Sequence, residues 1–199
     1  MKPNILIGLP TMSQVNTGLL MVILQWVAGA GNKYDVSIYP TFSVQPVDNA
    51  RNQIVDEFLK SDCTHIFFVD ADTIPPLDAL DKLLKHDKEI VSGLTPIVQY
   101  DESVGFYTVM NCTDMEDKRL EPNQGLKEMK GAGSSCILIK RSVFDKMKPP
   151  YYRFLYSDDN GKSTMVSEDM YFMAMALGYG VKAYCDTTVV CKHYKSIMW

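Results

Sequence analysis

The chain lacks any long uncharged apolar run. Its most apolar stretch, GLLMVILQWVAGAG over residues 18–31, contains Gln25 and falls short of the ~20 residues needed to span a membrane. Val15, Leu19, Val22, Ile23, Trp26 and Val27 recur there at helical spacing, which predicts a buried core helix instead. No secretory leader is visible, because MKPNILIGLP has too short an apolar run and too early a proline. An excess of positive charge is missing too: Lys and Arg total 20 against 24 Asp and Glu, a net charge of -4. The chain therefore has no broad basic footprint for tracking phosphate backbones, although a nucleic-acid substrate is not thereby excluded. Its five cysteines, Cys63, Cys112, Cys136, Cys185 and Cys191, are odd in number and include no C-x-x-C pair. That excludes the zinc and redox motifs built on this spacing and suits a reducing, cytoplasmic setting. Asn111-Cys112-Thr113 has the form of a glycosylation acceptor, but nothing secretory accompanies it.

What is present is a regular alternation. Residues 5–7 read as a strand stopped by Gly8 and Pro10, the apolar helix follows, and residues 36–39 read as a second strand. A helix from about Asp48 carries Ile54, Val55, Phe58 and Leu59 on one stripe; residues 65–69 form the third strand and residues 77–85 a further helix. The strands are continuously apolar, as expected of parallel strands covered on both faces. The fold class is α/β, with a mostly parallel central sheet and helices on both faces. In the second half, residues 90–93, 105–110 and 135–139 read as strands around a polar segment at 111–124, so the sheet there becomes mixed. A short helix over 142–147, a loop at 157–163, a helix from Ser167 to Gly178 and two last strands at 181–185 and 188–191 complete the reading. With 199 residues, 46% hydrophobic, and no repeat or linker, residues 1–199 form a single domain.

The third strand ends abruptly in acid: FFVDADTIPP places Asp70 and Asp72 directly after Phe67, Phe68 and Val69. Positions i and i+2 of an extended chain face one side, so the two carboxylates converge while Ala71 turns away. Such a pair suits Mg²⁺ or Mn²⁺, which take one or two carboxylates and fill the rest of their shell with substrate phosphate and water. The structural alternative is an acid capping the helix near Leu77. Two carboxylates against an apolar strand end are costly without a partner, and in α/β sheets ligands bind at this edge.

Other residues converge on the same edge. Arg51 lies on the stripe of Val55 and Phe58 near a helix N-terminus, where a guanidinium favours a phosphate, or else pairs with Asp48 or Asp70. Gly131 and Gly133 in KGAGSS permit close backbone approach to a substrate, or simply form a turn. Ser167 caps the last helix; Glu168 and Asp169 in its first turn complement the dipole, or supply a general base for an acceptor hydroxyl. His193 follows VVCK and is a candidate metal ligand, whereas His65 starts its strand at the wrong end and His86 lies in a charged helix end.

In chain order, Asp70-Ala71-Asp72, Gly131 to Gly133, Glu168-Asp169 and His193 resemble the site motifs of GT-A-fold glycosyltransferases, in a small, single-domain, family-2-like form. The resemblance spans Ile5 to about Tyr194. It implies a Rossmann-like GT-A fold in which residues 1–95 bind a nucleotide and 96–199 supply acceptor and catalytic groups. It further implies a UDP- or GDP-sugar donor whose ribose and diphosphate sit at Asp70, Ala71 and Asp72. Mn²⁺ or Mg²⁺ would be held by Asp72, with Asp70 supporting and His193 completing the shell. Pro10, Thr11, Arg51, Gly131 and Gly133 would line the nucleotide-sugar site, and Asp169 beside Glu168 would be the base of an inverting transfer. Ala50-Arg51-Asn52 also resembles retaining mannosyltransferases of the same fold, which use no such base. The acceptor, whether glycan, lipid, protein or modified nucleic-acid base, would meet residues 100–124 and 151–165. Tyr151, Tyr152, Phe154 and Tyr156 would there form a stacking platform or a hydrophobic flap. The resemblance implies no appended acceptor domain or membrane anchor.

Two other readings share these residues. Asp-Ala-Asp-Thr matches the nucleophile motif of haloacid-dehalogenase-like phosphatases, with Asp70 as nucleophile. That motif normally sits on the first strand, whereas here two strand-helix units precede it and Pro75-Pro76 replaces the expected mobile insert. A non-catalytic nucleotide-sugar or carbohydrate binding module would keep the same fold.

Overall fold

Phe67 and Val69 pack on one side of their strand and Ile66 and Phe68 on the other, and all four are fully buried. Burial on both sides requires helices on both faces, and the computed structural model, which describes residues 2–29, 31, 33–159 and 162–194, shows them. The first half runs β1 (Asn4–Thr11), α1 (Thr17–Gly29), β2 (Asp35–Phe42), α2 (Val47–Lys60), β3 (His65–Val69), β4 (Thr73–Ile74), α3 (Ala79–Lys85) and β5 (Ile90–Leu94). The second runs β6 (Pro96–Asp101), β7 (Gly105–Met110), β8 (Leu126–Met129), β9 (Cys136–Lys140), α4 (Arg141–Lys146), β10 (Leu155–Asp159), β11 (Lys162–Val166), α5 (Glu168–Gly178), β12 (Ala183–Val190) and β13 (Lys192–His193).

The central sheet has seven strands in the order β2-β1-β3-β9-β5-β12-β8. Five share one direction, while β9 and the edge strand β8 run against them. The helices α2, α4 and α5 cover one face through Ile54, Phe58, Phe144 and Phe172. On the other face α1 and α3 bury Leu19, Ile23, Trp26, Leu80 and Leu83. The α/β class, the mostly parallel sheet and the two helical layers are as the sequence predicts.

Three expectations are corrected. Residues 181–185 and 188–191 are not two strands: β12 is one strand whose register to β5 shifts between Asp186 and Val190, with the short β13 after it. The expected loop at 157–163 is mostly paired strand, Leu155 pairing with Val166 and Tyr156 with Met165; residues 160 and 161 lie outside the described residues. Tyr151 and Tyr152 form no surface platform, because both are buried and Tyr152 stacks on Phe172 at 4.8 Å. Of the expected aromatics, Tyr156 is the strongly exposed one, at 74%. No helix among the described residues is long and apolar enough to cross a membrane.

Candidate active site

Four elements of the fold end at one place. The carboxyl end of β1 delivers Pro10 and Thr11, β3 runs out into Asp70, Ala71 and Asp72, α2 contributes Arg51 from its second turn, and α5 begins with Glu168 and Asp169. Helix α5 starts here because Ser167 takes the cap position and its hydroxyl accepts from Met170 N. These residues line a cleft of about 540 Å³ together with Met12, Gln14, Val15, Asn16, Val47 and Tyr194. That volume falls in the range of small-ligand sites. Backbone bonds pin the acidic loop: Asn16 N donates to Ala71 O at 2.9 Å, and Tyr194 N to Asp72 O at 2.9 Å.

The hub of the site is Arg51, 2% exposed. Its Nη2 lies 3.0 Å from Asp70 Oδ1, and its Nε lies 3.3 Å from Glu168 Oε1 and 3.5 Å from Asp169 Oδ1. The guanidinium also faces the Phe68 and Tyr152 rings. Burial works against its charge, but Asp70, Asp169 and Glu168 outweigh burial and raise its pKa. Of the two roles the sequence left open for Arg51, the ion pair is formed, and with Asp70 rather than Asp48. Burial pushes the Asp70 carboxyl above the ordinary carboxylate range, and Asp169 and Asp72 add to this against the pull of Arg51. The Glu168 carboxyl is raised by burial and by Asp169, again opposed by Arg51. One guanidinium facing three carboxylates, with a fourth at Asp72, makes this edge strongly acidic and suited to a further cation.

His193 and Asp72 face each other at 3.2 Å through Nε2 and Oδ2. The other ring nitrogen, Nδ1, lies 2.7 Å from Pro96 O, an acceptor, so Nδ1 carries the proton and donates. Nε2 then donates to Asp72 when the ring is charged, and presents a lone pair that can ligate a cation between itself and the carboxylate when the ring is neutral. Such an arrangement of a backbone-anchored imidazole beside an acid is common at metal sites. No group of three or more His, Cys, Asp and Glu among the described residues could hold a metal. Asp72 and His193 offer two ligands at most, so an ion held there would need its other ligands from substrate phosphate and water.

The two glycines of the KGAGSS segment differ. A Cβ on Gly131 would stand 2.8 Å from Met170 Cε and 2.9 Å from Thr113 Oγ1, so a side chain there would have to displace both. A Cβ on Gly133 would stand 3.1 Å from Asn111 Nδ2 and 3.7 Å from Asp169 Oδ2, beside the acidic site. Neither glycine, nor His193, is among the residues lining the cleft. Asn111 is not a surface acceptor: it is buried, and its Oδ1 accepts from Thr95 N at 2.8 Å. The sequence also gave no sign of Asn52, whose amide oxygen takes Tyr151 N and Tyr152 N while its Nδ2 donates to Tyr152 O. Asn52 thereby ties the segment before β10 to α2.

His65 and His86 stay out of the site. His65 contacts Thr64 Oγ1, and burial together with Lys140 lowers its pKa to about 4. His86 pairs with Asp186 at 2.8 Å. Asp70 meets Arg51 and Asp72 meets His193.

No protein-family model matches this chain, and no curated protein sequence matches it. Solved structures do. The crystal structure of A197 from STIV is similar at 19% identity with a TM-score of 0.63, covering 98% of this chain and 86% of that one. GalNAc-T7 with UDP, GalNAc and Mn²⁺ is similar at 12% identity with a TM-score of 0.54, covering 100% of this chain and 45% of that one. At these identities the likeness is one of fold, and the fold is GT-A-like, an α/β sandwich with a mixed central sheet.

Proposed function

We propose that the protein is a metal-dependent glycosyltransferase that moves a sugar from a UDP- or GDP-sugar to an acceptor hydroxyl with inversion. One observation carries the reading. At the carboxyl edge of a GT-A-like sheet, buried Arg51 joins the strand-end acid Asp70 to the helix-start acids Glu168 and Asp169, and Asp72 faces His193 alongside. That GalNAc-T7 has been solved with UDP, GalNAc and Mn²⁺ supports it. The five cysteines are all free thiols, which supports a cytoplasmic setting.

In this reading the diphosphate lies over Asp70, Ala71 and Asp72. A second, apolar recess of about 270 Å³ lined by Pro10, Met12, Val44, Pro46, Val47 and Ala50 adjoins the cleft and takes the base. Asp72 and His193 would hold a divalent ion, whose chemistry would be Lewis-acid stabilisation of negative charge on the leaving nucleoside diphosphate. Asp70 is kept in place by Arg51. Asp169, on the cleft wall and a fifth exposed, takes the proton of the attacking hydroxyl, while the more buried Glu168 orients Arg51. The phosphatase reading loses ground, because Asp70 as nucleophile is held at 3.0 Å by Arg51.

Calorimetric titration with UDP and GDP, with and without Mn²⁺, tests this. Binding is expected to require Mn²⁺ and to weaken about 100-fold in Asp72→Ala, the scale on which metal-shell changes act. Metal-independent binding, or unchanged binding in Asp72→Ala, would remove the site assignment.

A further inference from the structure

The core uses only one side of α1. Leu19, Ile23 and Trp26, spaced i, i+4 and i+7, are buried, while Leu20, Met21, Leu24 and Val27 on the outer side stand 42–52% exposed. The helix has no charged residue along its 13 positions, so the outer face lacks the Lys and Glu that ordinarily solvate a surface helix. The apolar surface continues onto the edge strand β2. Val36 packs with the α1 layer and Tyr39 with the opposite one, so Ile38 and Phe42, 42% and 64% exposed, share the α1 side. A Cβ on Gly18 would stand 2.5 Å from Ile74 Cδ1, which sets that flank of α1 against β4; Leu20 and Val27, on the opposite flank, turn towards β2. Six large apolar side chains thus make one surface, and an exposed patch of that kind marks an interaction site.

Charge decides what covers it. An uncharged face offers nothing to a nucleic acid or to an acidic or basic peptide. An anionic membrane would call for cations at the rim, but Lys2, which reaches Gly31 O just past α1, is paired with Asp35, and Lys33 with Asp81, each at 2.7 Å. Strand addition is opposed by Pro40 within β2. A two-fold axis, by contrast, brings a residue near its own kind, which a charged face would resist and this one does not. The ridge of Leu20, Leu24 and Ala28 is also self-complementary when run antiparallel about Leu24: Leu20 of one copy comes over Ala28 of the other, large against small. We propose that this surface is the interface of a two-fold dimer of this chain, the α1 helices crossing antiparallel at Leu24 with Ile38 and Phe42 widening the contact. Such a dimer is independent of the proposed activity. Asn16, just before α1, lines the cleft, and Leu24 lies two turns into the helix, about 10 Å on, so both clefts stay open at opposite ends of the helix pair.

Sedimentation equilibrium of the whole chain tests this at about 100 μM, where a complex of micromolar Kd is nearly all formed. Wild type is expected at twice the 22.5 kDa chain mass. Leu24→Glu sets two carboxylates against each other at the axis and is expected to return the mass of a single chain, with an unchanged circular dichroism spectrum because the position is half exposed. Phe106→Glu, on the exposed β6–β7 hairpin, is expected to leave the dimer intact. Cross-linking reads the register. The five native thiols are 0–3% exposed, so Leu24→Cys adds an accessible one and is expected to give a covalent dimer on mild oxidation, whereas Ser103→Cys at the β6–β7 turn gives none. A monomeric wild type would overturn the proposal, as would a dimer that survives Leu24→Glu or fails to cross-link through Leu24→Cys. A monomer that co-sediments with phosphatidylcholine vesicles, and ceases to in Leu24→Glu, would overturn it by giving the face to a membrane.

Discussion

The two halves of the chain use their apolar residues differently. Over residues 1–95 most go into strands buried on both faces, β1, β3 and β5 being almost wholly inside, although α1 and β2 leave Leu20, Met21, Leu24 and Phe42 exposed. Over residues 96–199 two hairpins stand outside the central sheet and leave large apolar groups in solvent. Tyr100 and Phe106, whose rings meet at 5.1 Å, are 64% and 79% exposed. In the proposed reading the first half provides the edge on which the diphosphate is positioned, and the second half the groups that meet the acceptor. Beside the pairing of β9 and β12 with strands of the first half, the second half reaches that edge through Glu168 and Asp169 on Arg51 and His193 on Asp72. In that reading chemistry is assembled where the halves touch.

The sharpest way to separate the halves is Asp169→Asn. If the first half binds donor and the second performs transfer, this change leaves donor Kd within about twofold and lowers the transfer rate by about 1,000-fold, within the range of general-base effects. Steady-state turnover alongside calorimetry reads both quantities, and surviving transfer would return the base assignment to the retaining alternative. Next in size is Arg51→Met, which cuts the seam. Removing the guanidinium leaves Asp70, Glu168 and Asp169 together without their cation, and breaking a buried ion cluster in this way costs roughly 3–5 kcal/mol. For a chain of this length the melting temperature should fall by about 10 °C; a loss under 2 °C would show that the halves are joined by packing alone.

The smallest effect concerns Glu168. Burial and Asp169 hold its carboxyl above the ordinary range, so the folded protein keeps a proton that the unfolded chain gives up. Its contribution to stability is full below the unfolded glutamate pKa and falls as pH rises towards the raised folded value. Glu168→Gln, which preserves a hydrogen-bond acceptor for Arg51, should flatten the fall in melting temperature over that window. An identical pH profile in the variant would assign the dependence to other acids.

Most of the first half was legible because its signals are local. Ile54, Val55 and Phe58 at helical spacing, and the FFV run before Asp70, are periodicities that one strand or helix carries by itself. The second half hid more. The polar LKEM of β8 is an edge strand, which needs little burial, and Pro96, Gln99 and Asp101 disguise β6. Tyr151 and Tyr152 sit in a Pro- and Arg-flanked stretch that reads as surface, yet the Asn52 clamp and the Phe172 stack draw them into the core. Within the site the acids and Arg51 could be nominated from type and position. The Asn52 clamp could not, because only the return of the chain to Tyr151 and Tyr152 gives that amide its partners.

The sequence by itself determined the α/β layering, the acidic end of β3 and the acidic start of α5, because backbone periodicity and helix capping act over a few residues. Tertiary structure alone decided that Arg51 meets Glu168 across 117 positions, that Asp72 meets His193 across 121, and that β9 slips antiparallel between β3 and β5. Those pairings depend on how two hydrophobic layers close over one sheet, and no local pattern in the chain encodes the distance between residues that such closure brings together.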